Sequence, residues 1–210
     1  MTDAKAPRRR RATQARSKAT VQRILDATTQ LIVERGAQGV TMSEIAKRAD
    51  LVIGSLYQYF TDKSAIYRAI LIRHAGEARA LLHHHVSGAR TLEALNDALS
   101  LSFDDYFSLL QKDRLIIGLW AIVQADPELQ ALDIEDTLQN ARYIAGVAAP
   151  MLPGVDMSRL VATCFVLIQF SLYAGHLARD LPVEIGQEFP ATYKSMLRES
   201  LASLRRPKIM

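Results

Sequence analysis

Residues 41–63, TMSEIAKRADLVIGSLYQYFTDK, concentrate side chains that hydrogen-bond well to nucleic acid. Ser55 and Gln58 carry a hydroxyl and an amide, which can donate and accept hydrogen bonds on base edges in the major groove. Tyr59 lies beside them, while the Tyr57 hydroxyl and the Lys63 ammonium suit phosphate oxygens. The spacing of these residues therefore favours recognition of a duplex by a short helix.

The same stretch begins with a helix start signal. Thr41 and Glu44 have the spacing of a capping box, in which each side chain accepts a hydrogen bond from the other residue's backbone N–H. Val40 and Ile45 are placed to pack across it as a hydrophobic staple. The pattern predicts a helix that begins at Met42 and ends near residue 49.

A second short helix, residues 54–60, is predicted after a turn at 50–52. A third helix follows, because Thr61-Asp62 is a capping pair ahead of the periodic run IYRAILIRHA. Two short helices separated by a tight turn form a helix-turn-helix. The side chains expected to face inward are Ile45, Leu51, Leu56 and Phe60, which leaves Ser55, Gln58 and Tyr59 on the outer face.

Charge is unevenly distributed along the 210 residues, although 26 Lys and Arg nearly balance 22 Asp and Glu. Residues 1–74 hold 14 basic and 6 acidic side chains, so the remaining residues hold 12 basic and 16 acidic ones. The run PRRRRATQARSK at 7–18 lacks apolar periodicity, and we expect a flexible basic arm over residues 1–16. Its position ahead of a helix-turn-helix favours contact with the minor groove or with phosphates; a solubilising tail is the alternative.

Residues 24–70 resemble the TetR/AcrR family of transcription regulators, through the T-x-x-x-I-A element, the G-S-L-Y-x-Y-F core and the lysine that follows. The resemblance implies phosphate contacts by Thr41, Tyr57 and Lys63. The residues that it places near the bases or the adjacent backbone are Ser43, Ile53, Gly54, Ser55, Gln58 and Tyr59. Two positions depart from the common family pattern, since Asp50 stands where glycine is usual and Val52 stands where a serine often caps the recognition helix.

Beyond this region the apolar residues recur at helical spacing almost everywhere, and convincing strand alternation is absent from the sequence. Breaks are predicted at 87–90, at Asp126-Pro127, at 150–156 and at 181–186, where Pro or Gly interrupts the periodicity. The sequence thus predicts an all-α fold of eight or nine helices. Residues 17–75 would form a three-helix DNA-binding domain and residues 76–210 a helical bundle for ligand binding and dimerisation.

The single cysteine, Cys164, excludes an intrachain disulfide and fits a reducing, cytoplasmic setting. It lies in the run LVATCFVLIQFSLYAGHL at 160–177, which approaches the length of a transmembrane helix. Thr163, Gln169, Ser171 and His176 interrupt this run with polar atoms that are costly in lipid. We therefore favour a helix buried in protein and expect no membrane association.

Other patterns give little support to catalysis or metal binding. His83, His84 and His85 are consecutive, so on a helix they point about 100° apart and cannot converge on one ion without partners. A solvated helix end is the favoured interpretation of these histidines. Because catalytic triads, phosphate loops and zinc-protease motifs are also missing from the sequence, we expect no enzyme, no metal site and no cofactor.

The acidic half contains aromatic and polar residues that suit an apolar cavity with a few polar groups. The candidate ligand-binding residues are Phe103, Phe107, Trp120, Phe165, Gln169, Tyr173 and His176. Each of them is also an ordinary core residue, and the collective cavity is a stronger hypothesis than any member. Dimerisation is expected through helices at 157–179 and 186–204, where the latter offers Phe189, Tyr193, Met196, Leu197, Leu201 and Leu204.

Together with these patterns, the resemblance to the TetR/AcrR family implies a homodimeric DNA-binding regulator, most simply a repressor that a small apolar or amphipathic effector releases from a palindromic operator. The alternative is a nucleic-acid-binding structural or partner-interaction module without an effector. An enzyme is a distant third.

Overall fold

The computed structural model describes the backbone of residues 6–205 and the side chains of residues 14–205. Within that range the chain forms nine α-helices and no strand, which confirms the all-α prediction. The helices are α1 (Ala6–Arg35), α2 (Met42–Arg48), α3 (Ile53–Tyr57), α4 (Lys63–Val86), α5 (Leu92–Lys112), α6 (Arg114–Ala125), α7 (Pro127–Ala148), α8 (Met157–Leu177) and α9 (Val183–Ser203). Short 3₁₀ turns follow α7 at Ala149–Met151 and α8 at Ala178–Asp180.

The first helix is longer than the sequence analysis expected. α1 begins at Ala6, so residues 6–16 are helical and the expectation of an arm without regular structure is wrong for them. Ala, Arg, Gln and Lys have high helix propensity, so they can form a helix that has no apolar stripe. The prediction was based on apolar periodicity and therefore missed this part of α1. Residues 1–5 lie outside the described residues, and DNA contact by the basic run stays a prediction.

The start of α9 also differs from expectation. The sequence 181–186 was expected to be a break, but the helix begins at Val183 directly after Pro182. A Cβ on Gly186 would lie 3.0 Å from the carbonyl oxygen of Ala178. Gly186 therefore allows close packing of the first helical turn and does not end a helix.

The chain divides into two compact units. The first contains residues up to Arg73 together with Gly118–Ala125, and the second contains His74–Ile117 and the residues from Asp126 onward. The sequence analysis expected two continuous domains that meet near residue 75, whereas the observed first unit includes the end of α6. Two helices, α4 and α6, thus contribute residues to both units.

The first unit has a core of aliphatic side chains from α1, α2, α3 and α4. Its fully buried members are Ile24, Leu31, Ile32, Ile45, Leu56, Ile66 and Ile70. Burying each such side chain contributes about 1.5–3 kcal/mol relative to leaving it in water. The hydroxyl of Tyr67 on α4 donates to the Ala37 carbonyl oxygen at 2.8 Å, and burial raises the pKa of this phenol to about 12. The loop after α1 is thereby tied to α4.

The second unit is a bundle whose core runs through α5, α7, α8 and α9. α7 presents Ala141, Ala145 and Ala148, which are fully buried, and these small side chains let α8 pack closely along it. Leu160 and Cys164 on α8 lie in the same core. Burial raises the pKa of the Cys164 thiol to about 12, so this cysteine is an inert core residue.

Candidate DNA-binding surface and ligand-binding unit

The capping box at the start of α2 is present as predicted. The Glu44 N–H donates to the Thr41 hydroxyl at 3.3 Å, and the Thr41 N–H donates to the Glu44 carboxylate at 3.0 Å. The Thr41 hydroxyl itself donates to the same carboxylate at 2.9 Å. These hydrogen bonds, together with one from Arg35, hold the pKa of Glu44 below its usual range.

Ion pairs brace α2 against α1. Arg48 makes two parallel hydrogen bonds to the carboxylate of Glu34, both at 2.8 Å, and the Arg48 bond holds the pKa of Glu34 down. Arg35 donates to Glu44 at 2.7 Å. Paired guanidinium–carboxylate bonds fix orientation as well as distance, so α2 is held in one register on α1.

The turn between α2 and α3 uses an unusual backbone conformation. Asp50 has φ of 53°, in the left-handed region that favours glycine and that Asp or Asn can also adopt. This explains how an aspartate occupies the position where the family commonly has glycine. Val52 is the N-cap of α3 and has no side-chain oxygen to cap it, so the first N–H groups of α3 lack that partner.

α3 is shorter than the predicted recognition helix, since it spans Ile53–Tyr57 and the next residues continue as a turn. Leu56 is fully buried and anchors it, as expected, while Leu51 and Phe60 are partly buried. The residues assigned to bases or phosphates lie mainly on its outside: Ile53 is 46% exposed, Tyr57 51% and Tyr59 36%. Gly54 and Gln58 are exposed too, and Ser55 is half-buried.

The remaining predicted DNA contacts flank this helix. Thr41 and Ser43 are exposed at the start of α2. Lys63, in the first turn of α4, has its ammonium 5.6 Å from the centre of the Tyr67 ring. Val52, which the sequence analysis did not include, is 74% exposed and is the most exposed large apolar side chain described here. An exposed valine ahead of the reading helix suits contact with a thymine methyl group.

Two of the predicted ligand-binding residues of the second unit, both on α5, contact aromatic residues of α9. Phe103 and Phe107 on α5 join an aromatic cluster in which Phe103 stacks on Tyr193 of α9 with ring centres 4.3 Å apart. Phe107 stacks on Phe189 at 5.6 Å. The Tyr193 hydroxyl donates to the Leu167 carbonyl oxygen at 3.2 Å. This cluster packs α9 on α5.

The other predicted ligand residues lie on α8 and α6. Phe165 packs against the α7–α8 core, and the Gln169 amide donates to the Thr137 hydroxyl on α7 at 3.2 Å. His176 is buried, and burial together with the nearby Arg179 lowers its pKa to about 4. Tyr173 is 52% exposed. Trp120 belongs to the part of α6 that groups with the first unit.

A set of polar residues between α4 and α7 was missed by the sequence analysis. Arg79 donates to the carboxylate of Asp136, and Asn140 donates to the same carboxylate at 3.1 Å. The His83 ring stacks on Tyr143 with ring centres 3.6 Å apart. The interpretation of 83–85 as a solvated helix end is therefore wrong for His83. The only indication of these contacts in the sequence was the one-turn spacing of polar residues on each helix.

The other two histidines of this run differ from each other, since His85 is partly buried. His84 is exposed, and the His85 ring nitrogen lies 3.0 Å from the Asp105 carboxylate. Among the residues that the structure describes, His, Cys, Asp and Glu form no cluster of three or more that could hold a metal ion.

An exposed apolar stripe runs along α8. Val166 is 62% exposed, Phe170 42%, Tyr173 52% and Leu177 46%, and their spacing places them on one face. α9 differs from expectation, because Tyr193, Leu197, Leu201 and Leu204 are buried within the unit. A single chain therefore buries most of the α9 face that had been assigned to a partner, and of that face Met196 remains exposed.

The segment Met157–Asp180 is long and apolar enough to cross a membrane by length and composition. One such helix is weak support for a membrane span, because core and interface helices of globular proteins have the same composition. α8 packs against α5, α7 and α9 in the second unit.

The curated relatives of this chain include transcriptional regulators. Curated relatives include the HTH-type transcriptional regulator BetI of Serratia proteamaculans, 30% identical over 114 residues, which are 53% of this chain and 58% of that protein. The chain thus spans under two thirds of that relative. BetI of Burkholderia lata is 25% identical over 74% of this chain and 81% of its own length.

Solved structures share the fold. SmeT, the repressor of the Stenotrophomonas maltophilia multidrug efflux pump SmeDEF, gives a TM-score of 0.65 at 22% identity, over 89% of this chain and 91% of its own. RolR in complex with resorcinol gives a TM-score of 0.64 at 18% identity, over 94% of this chain and 98% of its own. A family model described as bacterial regulatory proteins, tetR family, matches residues 24–70, and one described as tetracyclin repressor-like, C-terminal domain, matches residues 93–204. The chain belongs to the tetR family of bacterial regulatory proteins.

Proposed function

We propose that this protein is a transcriptional repressor that binds a palindromic operator as a homodimer and is released by a small apolar or amphipathic effector. The observation that carries this proposal is the surface at 52–59, where exposed side chains stand on a short helix anchored by the buried Leu56. Such a helix fits the major groove of B-DNA. Because chromosomal DNA is the partner, we place the protein in the cytoplasm.

Within this proposal the contacts divide into two classes. Tyr57, Lys63 and Thr41 contact phosphates, which positions the protein without reading sequence. Thr41 can do so only while it keeps its place in the capping box, since its hydroxyl already donates to Glu44. Ser43, Ile53, Gly54, Ser55, Gln58 and Tyr59 lie near the bases or the adjacent backbone.

The effector is proposed to bind in the second unit. SmeT has also been solved with triclosan, and RolR with resorcinol, so neighbours of the same fold bind small aromatic compounds. Here Phe103, Phe107, Phe165, Gln169 and His176 offer apolar surface with a few polar groups. Phe103 and Phe107 stack on each other, and Phe165 packs against the α7–α8 core.

Dimerisation is proposed through the α8 stripe of Val166, Phe170, Tyr173 and Leu177. A contiguous apolar face of this kind marks an interaction surface, and a twofold axis allows the same patch to pack on itself. The stripe replaces the α9 residues of the sequence-based proposal as the main contact, because those residues are buried within one chain.

Signal transfer is proposed to use α4, which continues from Lys63 in the first unit to Val86 in the second. A ligand that shifts the C-terminal half of this helix would change the spacing between the two recognition helices of the dimer. Half-sites lie about 34–36 Å apart, so small changes in spacing weaken operator binding.

The proposal is tested by selecting bound sequences from a random DNA pool and measuring their affinity by fluorescence anisotropy at fixed salt. We expect a palindrome bound at least about a thousandfold more tightly than random DNA. A thermal-shift screen of small apolar and amphipathic compounds then supplies ligands, which are added to the operator complex. If the selection enriches no DNA sequence, the proposed regulator function is refuted. If none of the stabilising ligands releases the operator, a DNA-binding module without an effector is favoured.

A further inference from the structure

Five polar or aromatic residues form a connected row between α4 and α7 in the second unit. Arg79 and His83 are one turn apart on α4, while Asp136, Asn140 and Tyr143 occupy one face of α7. Asp136 accepts hydrogen bonds from Arg79 and Asn140, and His83 stacks on Tyr143. We refer to these five residues as the α4–α7 polar seam.

Three atoms of the seam are buried without a hydrogen-bond partner in the described part of the chain. They are Nε of Arg79, Nε2 of His83 and Oδ1 of Asn140. Buried polar atoms in native proteins nearly always have a partner, so each orphan requires an explanation. The three atoms belong to residues that take part in the Arg79–Asp136 contact, the Asn140–Asp136 hydrogen bond and the His83–Tyr143 stack, and they indicate a place where another molecule supplies the missing bonds.

The chemistry of the three atoms restricts that molecule. The Nε–H of Arg79 can only donate, and Oδ1 of Asn140 can only accept. Burial and the neighbouring Arg79 lower the pKa of His83, so its ring is neutral near pH 7 and Nε2 can take either role. A matching group must therefore both accept and donate hydrogen bonds.

Charge excludes the ionic candidates. The Arg79 guanidinium is already paired with Asp136, and a carboxylate or phosphate would bring a second anion next to that aspartate. An anion would also offer no proton to Asn140. An ammonium group has no lone pair for Arg79 and would face its positive charge. A hydroxyl is the smallest neutral group that accepts and donates through one atom.

We propose that the α4–α7 polar seam is the subsite that recognises the hydroxyl of an otherwise apolar effector, an alcohol or a phenol. The hydroxyl oxygen accepts a hydrogen bond from Arg79 Nε–H, and the hydroxyl proton is donated to Asn140 Oδ1. Nε2 of His83 is the third hydrogen-bonding atom of the subsite. This inference deepens the effector function proposed above and rests on it. Polar atoms that have no protein partner and are held by the packing of α4 on α7 are preorganised for such a ligand.

The experiment uses the full-length protein and two matched probe sets. One set is 1-octanol, its methyl ether and octanoate; the other is 2-naphthol, its methyl ether and 2-naphthoate. Isothermal titration calorimetry gives the affinity of each probe. Since a buried neutral hydrogen bond is typically associated with about a tenfold change in affinity, we expect at least one alcohol to bind about tenfold or more tightly than its ether and its carboxylate.

Three substitutions of similar shape test whether the preference for alcohol over ether depends on the α4–α7 polar seam. Arg79→Lys keeps a cation beside Asp136 and removes Nε–H; Asn140→Leu removes the acceptor; His83→Phe keeps a ring on Tyr143 and removes the nitrogen. The preference for alcohol over ether should fall to about threefold or less in Arg79→Lys and Asn140→Leu, while ether affinity stays nearly constant. Gln139→Leu, an exposed neighbour on α7, is the control and should keep the full preference.

Several outcomes would overturn the subsite. Equal affinity for alcohol and ether in the unchanged protein is one, and a preference that persists in all three variants is another. Absence of binding by both alcohols at millimolar concentration, or a crystal structure in which ordered water occupies the seam while the bound hydroxyl lies elsewhere, would also overturn it.

Operator affinity, measured in parallel, separates this inference from the effector function. If the alcohol binds with the expected preference but leaves operator affinity unchanged, the subsite stands and its effector role fails. If compounds release the operator with no preference for a hydroxyl, the effector function stands and the subsite fails.

Discussion

Gly118 provides a quantitative test of how α6 packs in the first unit. A Cβ built on this glycine would lie 2.5 Å from Cγ2 of Ile32, a side chain that is 2% exposed in the core. Real Cβ atoms essentially never approach this closely, so Gly118→Ala forces the buried isoleucine to move. Such overpacking typically costs about 1–3 kcal/mol.

Helix propensity acts in the opposite direction. Gly118 lies inside α6, and replacing an interior helical glycine with alanine contributes about 1 kcal/mol of stability when space is free. The expected net effect therefore ranges from about zero to 2 kcal/mol of destabilisation. Gly146 in α7 is the matched control, because no atom lies within 4 Å of its built Cβ. Gly146→Ala should stabilise the protein by about 1 kcal/mol.

Urea denaturation followed by circular dichroism measures both variants. A double-mutant cycle with Ile32→Ala isolates the contact, since alanine at 32 removes the Cγ2 that the new methyl group meets. The double variant should be more stable than the sum of the single changes predicts, by about 1–3 kcal/mol. If Gly118→Ala stabilises the protein as much as Gly146→Ala does, or if the cycle shows additivity, the packing argument is refuted.

Three further predictions concern DNA, the dimer and pH. Gln58→Ala should relax base preference at particular operator positions by about 1–3 kcal/mol, whereas Tyr57→Phe should weaken binding to operator and random DNA alike, as anisotropy titrations can show. Val166→Glu should convert the dimer to monomer in analytical ultracentrifugation, because it places a charge at the most exposed residue of the α8 stripe. Burial lowers the pKa of His176 to about 4 from its usual 6.5, so stability should be fully present above pH 6.5 and fall as pH drops towards 4; His176→Gln should flatten that slope in urea titrations.

Each of these predictions has an outcome that would contradict it. Equal losses on operator and random DNA would remove Gln58 from the base-reading residues. Ile134→Glu changes another exposed apolar residue, on α7, and should leave the dimer intact. If Val166→Glu remains dimeric, the α8 interface is wrong. An unaltered slope in His176→Gln would contradict the role assigned to burial.

The sequence by itself determined most of the local structure. Helix periodicity predicted the all-α fold and most breaks, and the Thr41–Glu44 spacing predicted a capping box that the structure contains. These features depend on residues within a few positions of each other, whose chemistry is legible in the chain. The resemblance over residues 24–70 predicted a DNA-binding surface for the same reason, because that region carries its motif in one continuous stretch.

The structure alone decided which faces meet, because helical spacing shows that a face is apolar without showing what covers it. The α9 stripe at Tyr193, Leu197 and Leu201 has the same pattern as an interface, yet it is buried within the chain, and the exposed stripe lies on α8. The orphaned atoms of Arg79, His83 and Asn140 were likewise invisible, since α4 and α7 are separated by forty residues and only packing brings their polar faces together. Long-range contacts of this kind depend on the sum of many weak packing energies, which no short stretch of sequence records.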